Sequence, residues 1–384
     1  MINSGATAGH AEGALATRIQ CTPLASAPVE AAGRVKDWLA NLAPQSEAAT
    51  LQDMFAALPL VRRMIEGLAA NSPYLWDLIK ADPPRIIAIL QSDPDKRWPT
   101  LLAEAAREVA AASDMATAMR VLRRMKSEAS LLIALSDIGG VWGVMQTTRA
   151  LTEVADTALS ASVRFLLRQA VQQGKLAPSA ASSDDGTGYI VLAMGKMGAF
   201  ELNYSSDIDL IILFDPAAPA LPTETEPSTF FVRLTRSLVK LLQERTADGY
   251  VFRVDLRLRP DPASTQIAMS TPAALDYYES TGQNWERAAL IKARPCAGDI
   301  AAGEAFLKNV APFIWRKYLD YAAVADVHAM KRQIHAYRGH DQIAVEGHNV
   351  KLGRGGIREI EFFVQTQQLI AGGRHPELRD RSTL

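Results

Sequence analysis

The sequence predicts a mostly α-helical protein with one central α+β core, and three observations carry this prediction. Apolar residues recur at helical spacing from about residue 29 to residue 174. Two short apolar runs, residues 189–194 and 210–214, have the length and composition of buried β-strands. Helical patterns return after Pro272 and continue towards the end of the sequence. We therefore expect a small sheet flanked by helical regions.

The composition excludes several classes of protein. With 384 residues, 48% of them hydrophobic, the chain is long enough to bury a core in two or three domains. Its 41 basic and 42 acidic residues leave no excess positive charge for nucleic-acid binding. No apolar run approaches the length of a transmembrane helix, and no basic start precedes an apolar block. Cys21 and Cys296 stand alone, which excludes a disulfide framework. We expect a cytoplasmic protein that binds neither nucleic acid nor membrane.

Four regions are predicted along the chain. Residues 1–28, rich in Ala, Gly and Ser, form a flexible tail, and residues 29–174 form a helical domain. Residues 176–188 have the polar and glycine content of a linker. Residues 189–270 form the catalytic core, and residues 271–384 form a C-terminal helical region.

The predicted core contains a helix and a third strand after its first two strands. The helix, residues 228–244, carries apolar residues on one face: Phe231, Leu234, Leu238, Leu241 and Leu242. The third strand, residues 250–259, alternates strictly between apolar and charged residues. Its charged positions are Arg253, Asp255, Arg257 and Arg259. Burial of the apolar face would turn these charges towards a polar cleft.

Three aspartates predict a site for divalent cations. Asp207 and Asp209 are two residues apart and therefore point to the same side of an extended strand. If the third strand lies beside the second, Asp255 joins them. Three carboxylates can hold two magnesium ions, about 3.5–4 Å apart, for in-line displacement at phosphorus. The alternative is that Asp207 and Asp209 are a solvated strand start.

Phosphate-binding groups are predicted around these aspartates. The turn before Asp207 offers backbone amides and hydroxyls at Gly195, Gly198, Ser205 and Ser206, with Lys196 as a point charge. The third strand offers the planar donors of Arg257 and Arg259. The alternative for the arginine-bearing face is an exposed edge strand whose charges deter aggregation.

A second glycine cluster lies near the C-terminus, between Lys351 and Arg358. A helix beginning at Gly356 would direct its free N–H groups at this loop, where an anion could bind. The alternative is a plain junction between a loop and a helix. Histidines at positions 328, 335, 340, 348 and 375 form no zinc-binding pattern with acidic residues and are expected at the surface or between helices.

These motifs together resemble one family, the bifunctional glutamine synthetase adenylyltransferase/adenylyl-removing enzymes. The resemblance runs from about residue 51 to residue 384 and rests on long motifs in the family's order. They are GKMG at 195–198, ELNYSSDIDL at 201–210, VDLRLRP at 254–260, DYYE at 276–279, WERAALIKAR at 285–294 and GGIREIEF at 355–362. Ala199 departs from the pattern, since many relatives have glycine there.

The resemblance implies a fold, a reaction and partners. The fold would be a nucleotidyltransferase core of the DNA polymerase β type, and this chain would be the N-terminal, adenylyl-removing part of a longer enzyme. Asp207, Asp209 and Asp255 match the family's metal-binding aspartates. Phosphate would attack the AMP-tyrosine linkage on glutamine synthetase and release ADP, under control of the PII signal protein. Two alternatives stay open: transfer of AMP from ATP to the tyrosine, and a docking module for PII without turnover.

Overall fold

The structure is a computed structural model that describes residues 13–42, 46–316, 346–351 and 353–383. The chain forms two compact units, and each is described by itself. The first unit comprises Met1–Val154 and Ala247–Val251, and the second comprises Ala155–Thr246 and Phe252–Leu384. The division falls inside a long helix rather than at the predicted boundary of residue 174, and the first unit includes a short segment from beyond that boundary.

The first unit is mostly helical in the described part of Met1–Val154, as the periodicity predicts, whereas Ala247–Val251 adds a turn without helix. Its helices are α1 (Leu15–Arg18), α2 (Pro28–Leu42), α3 (Ser46–Ala57), α4 (Pro59–Asn71), α5 (Pro73–Ala81), α6 (Pro83–Gln91), α7 (Pro94–Ala111), α8 (Met115–Ile138) and the first part of α9 (Val144–Gln172). Local sequence explains several of the helix starts. Ser72, Asp82 and Asp93 each cap a helix with a side-chain oxygen and are followed by proline, which needs no hydrogen-bond acceptor at that position.

Apolar stripes of these helices meet in one core. The stripe of α3 and α4 is buried as predicted, with Val61, Met64 and Ile65 at most 1% exposed. Trp38 packs edge-on against Trp76, with ring centroids 5.3 Å apart. Burial of such side chains contributes about 1.5–3 kcal/mol each, so the packed helices stabilise one another.

The predicted flexible tail is wrong for residues 13–28. Leu15 and Ala16 are buried, and the backbone N–H of Leu15 donates to the carbonyl oxygen of Ser92 at 2.7 Å. Arg18 forms an ion pair with Asp95 at 2.7 Å. The small residues of this segment allow close approach to the helices, so a composition typical of a tail here serves packing. Residues 1–12 lie outside the described part of the chain.

The second unit is built on a mixed sheet of five strands within the described residues. The strands are β1 (Tyr189–Ala193), β2 (Ile208–Phe214), β3 (Val254–Asp255), β4 (Met269–Ser270) and β5 (Arg294–Gly298). β1 pairs antiparallel with β2 on one side and with β5 on the other. β2 pairs in parallel with β3 near its start and with β4 near its end. β1 is fully buried, as a continuous apolar run between covered faces predicts.

Helices cover both faces of this sheet. They are α10 (Gly195–Gly198), α11 (Pro227–Gln243), α12 (Thr271–Ser280), α13 (Asn284–Leu290), α14 (Ile300–Ile314) and α15 (Ile357–Ala371). On one face, Phe231 of α11 stacks on Tyr189 and Phe214, at centroid distances of 5.7 and 5.0 Å. On the other, Ile190 and Leu213 belong to a core that includes residues of α12 and α14. The predicted amphipathic helix is confirmed at α11.

Two predictions about the sheet are wrong. The third strand has two residues instead of the ten predicted, because the backbone N–H and the side chain of Arg257 bond to Asp255 and the chain turns. The core does not end at residue 270, because β5 follows within the region predicted to be helical. β5 contains Pro295 and lies at an edge of the sheet. Proline has no N–H to donate, and an edge strand tolerates this because one of its sides has no partner strand. The periodicity of residues 294–298 gave no strand signal.

The remaining predictions along the chain have mixed outcomes. Helices return after Pro272 as predicted, and α15 begins directly after Gly356. The predicted linker, residues 176–188, instead contains a short 3-10 turn with the buried residue Ala180. His328, His335 and His340 lie outside the described residues. No helix in the described part of the chain has the length and apolar character to cross a membrane.

Candidate active site

The start of β2 brings the three predicted aspartates together. The parallel pairing of β2 with β3 places Asp209 directly opposite Asp255. Asp207 precedes Asp209 by two residues, at the point where the chain enters the strand. Asp209 is half-buried, whereas the side chain of Asp207 is 47% exposed. Acidic groups from two strands thus converge at one end of the sheet.

The charges of these carboxylates and the neighbouring cations shift the pKa values within the cluster. Burial and the negative charges of Asp255 and Asp207 together raise the pKa of Asp209 to about 6, against the lowering effect of the positive charges of Arg257 and Lys351. Asp255 behaves oppositely, because the hydrogen bonds from Arg257 lower its pKa despite partial burial. Asp209 is therefore the member of the cluster whose charged form is least favoured, and it lies at the least solvated point.

The arginines on either side of β3 contact groups of the protein itself. Arg253 donates to Asp207 at 2.5 Å and to the carbonyl oxygen of Ser205 at 2.6 Å. Arg257 forks onto both oxygens of Asp255, at distances of 2.5–3.0 Å, while its side chain is 83% exposed. Both guanidinium groups thus lie beside the carboxylates, in reach of any anion drawn to the same place.

Arg259 is placed differently from Arg253 and Arg257, and its contact with phosphate stays a prediction. Its terminal nitrogens donate to the carbonyl oxygens of Leu256, Pro262 and Thr265, at 2.8–3.2 Å. The guanidinium therefore closes the loop after β3. The sequence alternation suggested a charged strand face, but the chain has already left the sheet at this residue.

The glycine-containing turn before Asp207 folds as the short helix α10 and a loop. Gly195 has a φ of 52°, and a Cβ at this position would lie 3.1 Å from Oδ2 of Asp209. The backbone here thus approaches the aspartate cluster as predicted, with half-buried Lys196 next along the chain. Ser205 also has positive φ, 55°, and the N–H of Ser206 donates to the carbonyl oxygen of Asn203 at 3.4 Å. Gly195 is therefore a predicted turn residue that lies directly against Asp209.

Gly198 has a packing role that the sequence did not indicate. A Cβ at Gly198 would lie 1.9 Å from the carbonyl oxygen of Lys292 and 2.8 Å from that of Ala193. Glycine is needed because the backbone of α10 lies directly against the chain before β5. This close backbone contact explains glycine at position 198, and the contact of Gly198 with phosphate stays a prediction.

The second glycine cluster contributes charge to the site rather than a free helix end. The positive charge of Lys351 acts on Asp209, which places this lysine near the aspartates. The backbone N–H of Gly355 donates to Oε2 of Glu359 at 2.6 Å, so a carboxylate of α15 itself already caps this helix start. Arg358 is exposed, and its N–H donates to the carbonyl oxygen of Lys351 at 3.1 Å. The N–H of Gly355 is thus already bonded, and an anion site between Lys351 and Arg358 stays a prediction.

The carboxylate oxygens of the site suit a hard cation, but two of the three aspartates are paired with arginine. Within the described residues, no group of three or more His, Cys, Asp or Glu side chains is arranged to hold a metal ion. Oxygens of Asp207 and Asp255 are bonded to Arg253 and Arg257 in this structure. Carboxylate oxygens are the ligands that magnesium prefers, and the raised pKa of Asp209 marks a place where added positive charge is favourable.

A buried ion pair that the sequence analysis missed lies behind this site. Nζ of Lys292 donates to Oε2 of Glu201 at 3.0 Å, and the lysine side chain is 4% exposed. Glu201 lies in the loop between α10 and Asp207. The only sequence signal was a lysine within the otherwise apolar stretch 288–293.

A mostly helical protein with a small mixed sheet is compatible with a nucleotidyltransferase-like fold. Residues 62–309 match the family of glutamate-ammonia ligase adenylyltransferases, and the chain belongs to this family. Residues 327–383 match a second family, GlnD PII-uridylyltransferase.

Close relatives carry one name, bifunctional glutamine synthetase adenylyltransferase/adenylyl-removing enzyme. The protein of that name from Bradyrhizobium sp. (strain ORS 278) is 62% identical over 379 residues, which is 98% of this chain and 38% of the relative. The one from Rhodopseudomonas palustris (strain ATCC BAA-98 / CGA009) is 57% identical over 385 residues, 100% of this chain and 39% of the relative. The one from Xanthobacter autotrophicus is 58% identical over 345 residues, 90% of this chain and 35% of the relative. The chain spans less than two fifths of their length.

Proposed function

We propose that this chain removes AMP from adenylylated glutamine synthetase by phosphorolysis, as part of nitrogen regulation. The observation that carries the proposal is the convergence of Asp207, Asp209 and Asp255 beside the Gly195 turn, in a chain of the glutamate-ammonia ligase adenylyltransferase family. Phosphate attacks the α-phosphorus of the AMP-tyrosine, a new P–O bond forms, and the bond to the tyrosine oxygen breaks. The products are ADP and the unmodified tyrosine, whose oxygen takes up a proton.

The three aspartates would hold magnesium, two ions in the fullest arrangement. Bound there, magnesium supplies charge neutralisation at the attacking and leaving oxygens. Asp209 is the central ligand because its carboxylate is the least solvated of the cluster. Cations bound at Asp207 and Asp255 compete with Arg253 and Arg257 for the same oxygens.

Basic groups around the aspartates would orient the phosphates. Arg257 is exposed and needs only a change of rotamer to leave Asp255 for a phosphate oxygen. Arg253 stands in the same relation to Asp207. Lys351 and Lys196 add positive charge, the first acting directly on Asp209. Holding both phosphates in line accounts for a large part of the reduction in activation free energy in such reactions.

The test uses AMP-modified glutamine synthetase, inorganic phosphate and magnesium, with ADP as the readout. We expect the unmodified chain to form ADP. In Asp207→Asn the rate of ADP formation should fall by about 10³-fold, because the variant lacks one carboxylate that would hold the magnesium charge stabilising the transition state. The matched control is Asp185→Asn, which removes an exposed carboxylate in the same unit and should leave the rate unchanged. Equal ADP formation by Asp207→Asn and the unmodified chain would refute the metal mechanism.

Two alternative functions give different results. If the site adds AMP, unmodified glutamine synthetase incubated with ATP and magnesium becomes labelled. The similarity of residues 327–383 to GlnD PII-uridylyltransferase favours the second alternative, a docking module for the PII signal protein. In that case PII binds the chain with equal affinity in the unmodified form and in Asp207→Asn, and no ADP is formed by either.

A further inference from the structure

Lys292 is the charged centre of a buried polar cluster behind the aspartates. It lies between α13 and β5, and its side chain is 4% exposed. Its ammonium donates to Glu201 at 3.0 Å and to Oγ1 of Thr383 at 2.6 Å, and it lies 3.9 Å from Glu361 of α15. A buried ammonium is expensive unless it is paired and hydrogen-bonded. Lys292 therefore ties together three segments that are distant in sequence.

Glu201 is held from two sides. Its Oε1 accepts from the backbone N–H of Thr383 at 2.5 Å and from Oγ of Ser382 at 3.2 Å, and its Oε2 accepts from Oγ1 of Thr383 at 2.7 Å. Burial pushes the pKa of Glu201 upward, but the hydrogen bonds from Thr383 and the charge of Lys292 outweigh it and lower the pKa. The carboxylate is therefore ionised at neutral pH and forms a true ion pair with Lys292.

The backbone beside this pair is fixed as well. The carbonyl oxygen of Lys292 lies so close to Gly198 that no side chain fits between them. Two residues further on, Arg294 donates to the carbonyl oxygen of Met197 at 3.2 Å, and its guanidinium lies 3.9 Å from the ring centroid of Phe200. The chain entering β5 thus holds α10 and the residues after it through side-chain and backbone contacts.

The loop held in this way has a strained backbone and leads to the aspartates. Phe200 and Ser205 have φ values of 59° and 55°, a left-handed conformation that is strained for a non-glycine residue. Such strain persists only where surrounding contacts impose it. Gly195, at the start of the same segment, approaches Oδ2 of Asp209. Contacts at Glu201 therefore act on a segment whose two ends lie at the aspartate cluster.

We propose that Lys292 is a positioning residue, which holds residues 195–206 against the aspartate cluster through its ion pair with Glu201, with Thr383 locking the pair. The inference rests on the proposed function in one respect, namely that this loop faces the reacting phosphates. Loss of the ammonium leaves Glu201 buried without its cation, so the loop relaxes from the strained conformation. Displacement by about 1 Å is enough to reduce a reaction by about 10²-fold.

The first test measures the loop directly by hydrogen exchange and needs no activity. We expect Lys292→Met to increase amide exchange in the peptide covering residues 195–206, with β1 unchanged and with partial protection restored in Lys292→Arg. The matched control is Lys308→Met, which removes an exposed lysine of α14 in the same unit. Unchanged exchange of residues 195–206 in Lys292→Met would overturn the proposal.

The second test measures deadenylylation kinetics in the same variants. We expect Lys292→Met to lower kcat/KM for phosphate by about 10²-fold, with Lys292→Arg recovering part of the loss and Lys308→Met equal to the unmodified chain. Thr383→Val keeps the volume of the side chain and removes only the hydroxyl, so it serves if Lys292→Met does not fold. A normal kcat/KM in folded Lys292→Met or Thr383→Val contradicts the proposal. Absence of ADP formation by the unmodified chain refutes the proposed function alone, because the exchange test still decides the role of Lys292.

Discussion

Asp209 is expected to reduce the stability of the folded chain at neutral pH, and Asp209→Asn should relieve this. Burial and the neighbouring charges of Asp255 and Asp207 raise its pKa from 3.8 to about 6. A shift of about two pH units corresponds to about 3 kcal/mol between the two protonation states. Because the side chain is half-buried and water screens part of the interaction, we expect a measurable gain of about 1–2 kcal/mol.

Ionisation of Asp209 changes the stability of the folded chain within one pH window. Since the folded pKa lies above the unfolded one, the protonated carboxyl is favoured in the folded chain. Stability contributed by this group is complete below about pH 4 and is lost as the pH rises through about 6. Asp209→Asn should therefore be more stable than the unmodified chain at pH 7.5, with a difference that shrinks towards pH 4.

Urea unfolding at pH 4.5, 6.0 and 7.5 provides the assay, followed by circular dichroism. Asp185→Asn is the control, because it changes an exposed carboxylate in the same unit and should show no such pH-dependent gain. Magnesium should stabilise the unmodified chain more than Asp209→Asn, since a ligand that binds only the folded state adds to its stability. An Asp209→Asn chain that is no more stable at pH 7.5, or equally stabilised at pH 4.5, would refute the electrostatic account.

Three further predictions concern the packing of the chain. Gly198→Ala should lower the free energy of unfolding by about 3 kcal/mol, at the upper end for overpacking, because the new methyl group meets backbone carbonyl oxygens. The control is Gly33→Ala, which has open space around the new methyl group and should stabilise α2 slightly. Asp82→Ala should cost about 1 kcal/mol by removing the cap of α6, measured by thermal unfolding. A thiol reagent at pH 8 should modify exposed Cys21 rapidly and Cys296 only after denaturation, since burial raises the pKa of the Cys296 thiol. Rapid modification of both thiols in the native chain would contradict the last prediction.

Local patterns were sufficient to predict much of the helical part and the centre of the sheet. The stripe of Phe231, Leu234 and Leu238 predicted α11, and the glycine before Ile357 predicted the start of α15. Continuous apolar runs predicted β1 and most of β2, because central strands are covered on both faces. These elements share one property: their signals lie within a single stretch of chain.

The outer strands and the contacts of the arginines around Asp255 could not be predicted in the same way. β5 contains Pro295 and Gly298 and is a strand only because β1 offers it an unpaired edge. The alternation around Asp255 indicated a long strand, but hydrogen bonds between Arg257 and Asp255 turn the chain after two residues. Arg259 then bonds to carbonyl oxygens of its own loop, a contact that no spacing rule indicates.

By itself the sequence determined which carboxylates belong to the candidate site, because Asp207 and Asp209 are brought to one side by the two-residue period of a strand. It also determined the helical character of the first unit, through apolar spacing and helix caps. Only the tertiary structure decided that Asp255 stands opposite Asp209, that Arg253 and Arg257 neutralise two of the three aspartates, and that Lys292 reaches Glu201 across 91 positions of the chain. The physical reason is that pairing register and charge compensation depend on distances in space, which a one-dimensional pattern does not contain.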